Sequence, residues 1–235
     1  MSDSSFYQTI DGAISRVVRG IVTPVQLPEQ ELKAAIRQYS EVRGKTLELA
    51  CNITAAQAAF RPGPKVWSVA ENLDHLLLTE KSYRVQLLRL IELARAGKAT
   101  SIDLTLKEMN ASIGPIPRDV IPMFEMPLRM MNAFIPHAVR EAMIRFPVIP
   151  AINPNISDPQ QRDLAVLRAE LVSSLEETKA LFEGQMPERL LEMTVTHPIL
   201  GSNNVVKIFQ LMSAHEERHH GQMRSVLANP RLPKS

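Results

Sequence analysis

Two histidines four residues apart, His215 and His219, stand near the end of this chain with Glu216 beside the first. The surrounding residues repeat as one helix whose apolar stripe runs through Val205, Ile208, Phe209, Met212, Met223, Val226 and Leu227. At 100° per residue, His219 falls between Met212 and Met223, in the middle of that stripe. His215 falls near Ile208 and Val226, and Glu216 lies on the other side of the same strip. Burying three such groups without partners costs several kcal/mol, so something must satisfy them. A lone core histidine is ordinarily satisfied by a hydrogen bond. Two at i and i+4 on one face instead aim both imidazoles at a single point about a metal–nitrogen bond away. Divalent-metal binding is the chemistry this spacing suggests.

The string from His215 to His219 also satisfies the H-E-x-x-H pattern of zinc proteases, which need a third ligand that normally lies downstream. After His220 the chain contains no further His, Glu or Asp. Gln222 and Ser225 occupy the places where the extended form of that motif carries Gly and His, so the protease reading fails. The third ligand must come from upstream, and His75 is the best candidate. It lies on a helix with the apolar stripe Val69, Leu73, Leu76, Tyr83, Leu87, Leu90 and Ala94. Beside that stripe runs an uncharged polar strip of Asn72, His75, Thr79, Ser82 and Gln86, which reads as a cavity wall. With His215 and His219 it gives three neutral nitrogen ligands and leaves positions open for water or substrate.

The elements that must position these residues are mostly helical. Of 235 residues, 45% are hydrophobic and 22% charged, which suits one soluble globular domain. The net charge of +2 is spread along the chain without a basic stripe, so nucleic acid is a poor partner. No signal peptide or membrane-spanning run is recognisable, and a cytoplasmic protein is expected. Cys51, the single cysteine, excludes an intrachain disulfide and multi-cysteine metal sites.

Four long amphipathic stretches predict a four-helix bundle: 29–50, 68–96, 158–183 and 204–228. Capping boxes at Thr54…Gln57 and Ser68…Glu71 open a short helix and the second long one; Asp158-Pro159 reads as the start of the third. Residues 3–21, with Phe6, Ile10, Ile14, Val17 and Ile21 at helical spacing, form an extra helix on the bundle or a dimer contact. Residues 101–159 carry nine of the seventeen prolines. The expectation there is short Pro-broken helices. Met123, Met126, Met130 and Phe134 are expected to form an apolar lid over the metal.

Trp67-Ser68-Val69-Ala70-Glu71-Asn72-Leu73-Asp74-His75-Leu76 resembles the W-S-x-x-E-x-x-x-H-L segment of the DinB/YfiT-like family. His197-Pro198-Ile199-Leu200-Gly201, followed by His215, Arg218, His219 and Gln222, resembles that family's closing segment, and Arg61-Pro62 fits as well. The resemblance covers residues 29–97 and 158–228. It implies an all-α, DinB/YfiT-like four-helix bundle over 29–228, with 101–157 as a Pro/Met-rich insertion between bundle helices 2 and 3. Residues 1–28 are then an N-terminal extension and 229–235 a tail. It further implies that His75, His215 and His219 hold nickel or zinc. The activity implied is hydrolysis, or transfer of a low-molecular-weight thiol to a small-molecule substrate, by a homodimer. A non-catalytic metal- or apolar-ligand-binding stress protein is the alternative.

Weaker candidates complete the reading. Glu216 is a catalytic base, a support for a ligand, or the partner of a neighbouring arginine. Arg218 is expected to pair with an acidic residue, with a substrate role as the sharper option. His197 suits a turn, and His137 and His220 read as structural or surface residues. Cys51 is expected to be buried, and Tyr83 either packs in the core or points its hydroxyl into the cavity.

Overall fold

A computed structural model describes residues 26–98, 101–105, 111–113, 123, 125–136, 138–139, 142, 152–154, 159–184, 186–187, 189–198 and 200–234. The helix expected over 3–21, Asp158 and His137 lie outside these residues. In chain order the elements are α1 (Gln26–Cys51), α2 (Ala55–Ala59), α3 (Val69–Arg95), β1 (Ile102–Asp103) and β2 (Ala111–Ile113). They continue with α4 (Glu125–Ala133), β3 (Ile152–Pro154), α5 (Leu164–Ala180), β4 (Thr194–His197), β5 (Gly201–Asn204) and α6 (Val205–Leu227).

Both expected capping boxes form: Thr54 with Gln57 opens α2, and Ser68 with Glu71 opens α3. Gly97 ends α3 by taking a φ of 69°, and the Lys98 N–H then reaches the Leu93 carbonyl at 2.9 Å. Helix α5 starts later than Asp158-Pro159 suggested. Its cap is Asp163, which accepts from the Val166 N–H, while residues 159–163 run non-helically. The physical reason is a competing anchor on α3: the Asp74 carboxylate accepts from the Gln160 N–H at 2.8 Å and from Arg162 at 3.0 Å.

Helices α1, α3, α5 and α6 pack as the bundle, α1 on α6 and α5, and α3 on α5 and α6. The core divides into two apolar clusters. One gathers Leu32, Tyr39, Leu87, Leu90, Phe209 and Met212; the other gathers Ala50, Val69, Leu73, Leu77, Leu167, Leu171, Met223 and Val226. These pairings run α3 antiparallel to α6. Between the clusters lies a polar layer, because Arg43, Glu80, Thr178 and Glu216 sit on the buried stripes of α1, α3, α5 and α6.

Strands, which the sequence did not foretell, tie residues 102–103 to the segment that leads into α6. β4 and β5 form a hairpin with Val195 opposite Asn203, and β1 joins β4 in parallel. β2 and β3 pair separately, with Ser112 opposite Asn153. In the segment expected to form a lid, described residues contact the strands. Helix α4 rests on β5, and its Arg129 donates to the Leu104 carbonyl beside β1. β5 leads directly into α6, so His215 lies ten residues further along, about 15 Å at helical rise. Met123, Met126, Met130 and Phe134 are 62–84% exposed. Among the described residues no helix is long and apolar enough to cross a membrane.

Candidate metal centre

The antiparallel packing of α3 on α6 brings the three predicted histidines together. His215 Nε2 lies 3.2 Å from His75 Nε2 and 3.2 Å from His219 Nε2. One ligand atom from each of the three falls within 4.8 Å of the others. His75 and His219 are buried, and His215 is half-buried. Nitrogen edges of 3.2 Å subtend about 100° at a centre placed ~2.1 Å from each, the usual metal–nitrogen bond. That angle suits a divalent ion held on one side by three imidazoles, so the donor set fits the metal the spacing suggested.

The orientation of His219 is set from α3. Asn72 donates its Nδ2 to the Ser68 carbonyl at 2.8 Å, which leaves its Oδ1 as the acceptor facing His219 Nδ1, also at 2.8 Å. His219 therefore carries its proton on Nδ1 and presents the Nε2 lone pair to the other histidines. The Ser68–Glu71 cap fixes the start of the same helix, and Arg61 grips Glu71 from the preceding loop. Trp67, just before the cap, lays its ring 4.8 Å from that of His75 and stacks on His219 at 6.0 Å. Burial pushes His215 down to about 3 and His219 well below its ordinary range, with neighbouring cations adding to both. Both rings are held neutral, the form that ligates metal.

Glu216 points elsewhere. Its carboxylate accepts from Arg43 Nε at 2.7 Å and Nη2 at 3.0 Å, and from the Thr46 hydroxyl. Arg43 is fully buried and uses all five N–H donors: besides Glu216 it reaches Glu80, the Leu171 carbonyl and Tyr39. Glu80 in turn accepts from Thr178 at 2.8 Å. Because the Thr46 proton goes to Glu216, its oxygen accepts from His220 Nε2 at 2.7 Å. His220 is thus a buried structural residue. Of the readings for Glu216, the ion pair with an arginine is the one its geometry displays.

Sequence reasoning missed Arg43, Thr46 and Glu80, and it used Asn72 and Trp67 only as parts of a strip and a motif. The signal was available: Arg43 and Glu80 interrupt otherwise apolar helical stripes, as His215 and His219 do. Two further expectations need correction. Cys51 is exposed, since α1 ends there and turns its last residue outward. Arg218 makes no ion pair among the described residues, and its buried Nε lacks a hydrogen-bond partner. His197 is at a turn, as expected, accepting from the Leu200 N–H at 3.1 Å. Burial and Arg129 push it down to about 4. Tyr83 packs against the apolar cluster.

No curated protein and no solved structure matches the chain. Residues 38–223 match the DinB superfamily, a span that includes all three histidines and more than three quarters of the sequence. With the helical bundle and the His75, His215 and His219 cluster already in place, that match completes the assignment: the chain belongs to the DinB superfamily.

Proposed function

We propose that the protein is a metalloenzyme that holds one nickel or zinc ion on His75, His215 and His219 and acts on a small molecule. The observation that carries this reading is the convergence of three Nε2 atoms, two contacts at 3.2 Å, with Asn72 fixing the tautomer of His219. Three protein nitrogens on one side are the ligand count of metal sites that keep positions open for reactants. A divalent ion in such a site supplies Lewis acidity and lowers the pKa of a water or thiol that reaches it.

The chain's own residues do the rest. His75, His215 and His219 bind, Asn72 orients, and Trp67 shields the nitrogens on one flank. Glu216 braces α6 through Arg43 and is not the general base. With that carboxylate engaged, transfer of a low-molecular-weight thiol would ask less of the protein than hydrolysis, because a divalent ion held by His75, His215 and His219 would lower the thiol's pKa enough for its proton to pass to solvent without a protein base. The same engagement favours the second reading, a metal-holding binder without catalysis.

Tag-free protein should contain close to one divalent first-row ion per chain, and His215→Ala should lose it. Absence of metal after nickel or zinc addition would overturn the proposal. In the nickel- or cobalt-loaded protein, a charge-transfer band on adding glutathione, bacillithiol or mycothiol supports thiol transfer. Ester or amide hydrolysis without any such band supports the hydrolase, and neither supports the binder.

A further inference from the structure

Next to the three histidines stands a cation, Arg218, that makes no ion pair among the described residues. Arg218 is three residues from His215 and adjacent to His219, and its charge is felt by both rings. Arg43, the buried arginine of the bundle's polar layer, has every donor satisfied, whereas Arg218 is half-buried. Arg218 Nε is shielded from water without a partner among the described residues, and the side chain makes no ion pair there. An unpartnered donor shielded from water is costly, so its retention asks for a ligand.

Two more buried polar atoms, both on α3, lack partners among the described residues, and the nearer of them, on Thr79, lies one helical turn from His75. Thr79 Oγ1 and Gln86 Oε1 are buried without hydrogen-bond partners. They lie four and eleven residues after His75, on the strip of α3 that carries it, within about 40° of one another on the helix. Side chains lean toward the N-terminus of their own helix. Since α3 and α6 are antiparallel, Thr79 leans toward the level of His75 and Arg218 toward the level of His215. The two orphans approach the metal centre from opposite ends.

We propose that this site takes a carboxylate-bearing small molecule, with Arg218 binding the carboxylate, Thr79 hydrogen bonding to the ligand, and another group of the ligand reaching the three histidines. This rests on the metal reading above and adds to it the charge class of the substrate or co-substrate. Arg218 is suited to the task because a guanidinium meets a carboxylate with two parallel hydrogen bonds.

The test compares 3-mercaptopropionate with its neutral methyl ester on the zinc-loaded full chain by calorimetry. Wild type should prefer the acid by about tenfold or more, the value of one charge-assisted hydrogen-bonded pair. Arg218→Gln should erase that preference while keeping the metal content and the ester affinity, and Arg218→Lys should keep part of it. Thr79→Val should weaken both probes. No preference in wild type, or an unchanged preference in Arg218→Gln, overturns the proposal. Metal analysis of the same samples tests the three-histidine reading separately. If wild type holds no metal, succinate added to the metal-free chain still decides the matter: a shift of the Arg218 Nε–H nuclear resonance supports the anion site, and its absence overturns it.

Discussion

Helix α6 carries two polar constellations side by side, built from neighbouring residues and opposite in character. Glu216 and His220 face α1 and enter a network in which Arg43, Glu80, Thr46 and Thr178 pair with one another. His215 and His219 face α3, where the Nε2 of His215 lies 3.2 Å from that of His219 and 3.2 Å from that of His75. The first set is complete within the chain, and the second is the cluster that could hold a metal ion. Burial alone therefore does not mark a functional site. What separates the two is whether the polar groups satisfy each other.

Breaking the closed set should produce the largest effect. Arg43→Met leaves Glu80 and Glu216 buried without their cation, and removal of one partner from such a set costs about 3–5 kcal/mol. Denaturant unfolding should report that loss, and the melting temperature should fall by about 10 °C for a domain of this size. His215→Ala should behave in the opposite way. The metal-free variant should be about as stable as the metal-free parent, because the ring it deletes is half-buried and leaves no charged partner stranded. What disappears is the added stability conferred by metal, about 2.7 kcal/mol at a free metal concentration one hundred times the dissociation constant. Equal destabilisation of both metal-free variants would erase the distinction drawn between the two sets.

Between those lies Asn72. It touches no ligand position on the ion's side, yet it holds the Nδ1 proton of His219. Partners of that kind typically contribute ten- to hundredfold to metal affinity. Asn72→Ala should weaken zinc binding by about that factor in a competition titration with a chromophoric chelator. Unchanged affinity would show that the tautomer is set by another group.

The same contrast explains what the sequence disclosed. The bundle was legible because long 3.6-residue periodicities and two capping boxes agree, and the three histidines were legible because they break an apolar stripe at i and i+4. The Arg43 network broke stripes too, but its members are scattered over four helices. Each alone resembles a solvated charge until the helices are packed. The start of α5 was misplaced because its competitor, Asp74, lies 86 residues from Gln160, beyond any local signal. The short strands escaped for a related reason: β1 has two residues and pairs with β4, about ninety residues away. The contact of α4 with β5 was not legible either, because composition reports that a surface is apolar without reporting where the chain carries it.

The finest probe of the comparison is Thr46, where the closed set comes nearest to the open one. Its hydroxyl gives its proton to Glu216 and accepts from His220, the residue after His219. Thr46→Val keeps the side-chain shape and removes both hydrogen bonds. Glu216 retains Arg43 on both oxygens, so the buried charge stays compensated. The main loss is then the bond that satisfies His220, about 1–2 kcal/mol in denaturant unfolding. Metal content and zinc affinity should not change, since none of the bonds that position His75, His215 or His219 runs through Thr46. If Thr46→Val instead weakened zinc binding as much as Asn72→Ala, the network would be part of the metal site's support. The two faces of α6 would then be a single unit divided only by what each faces.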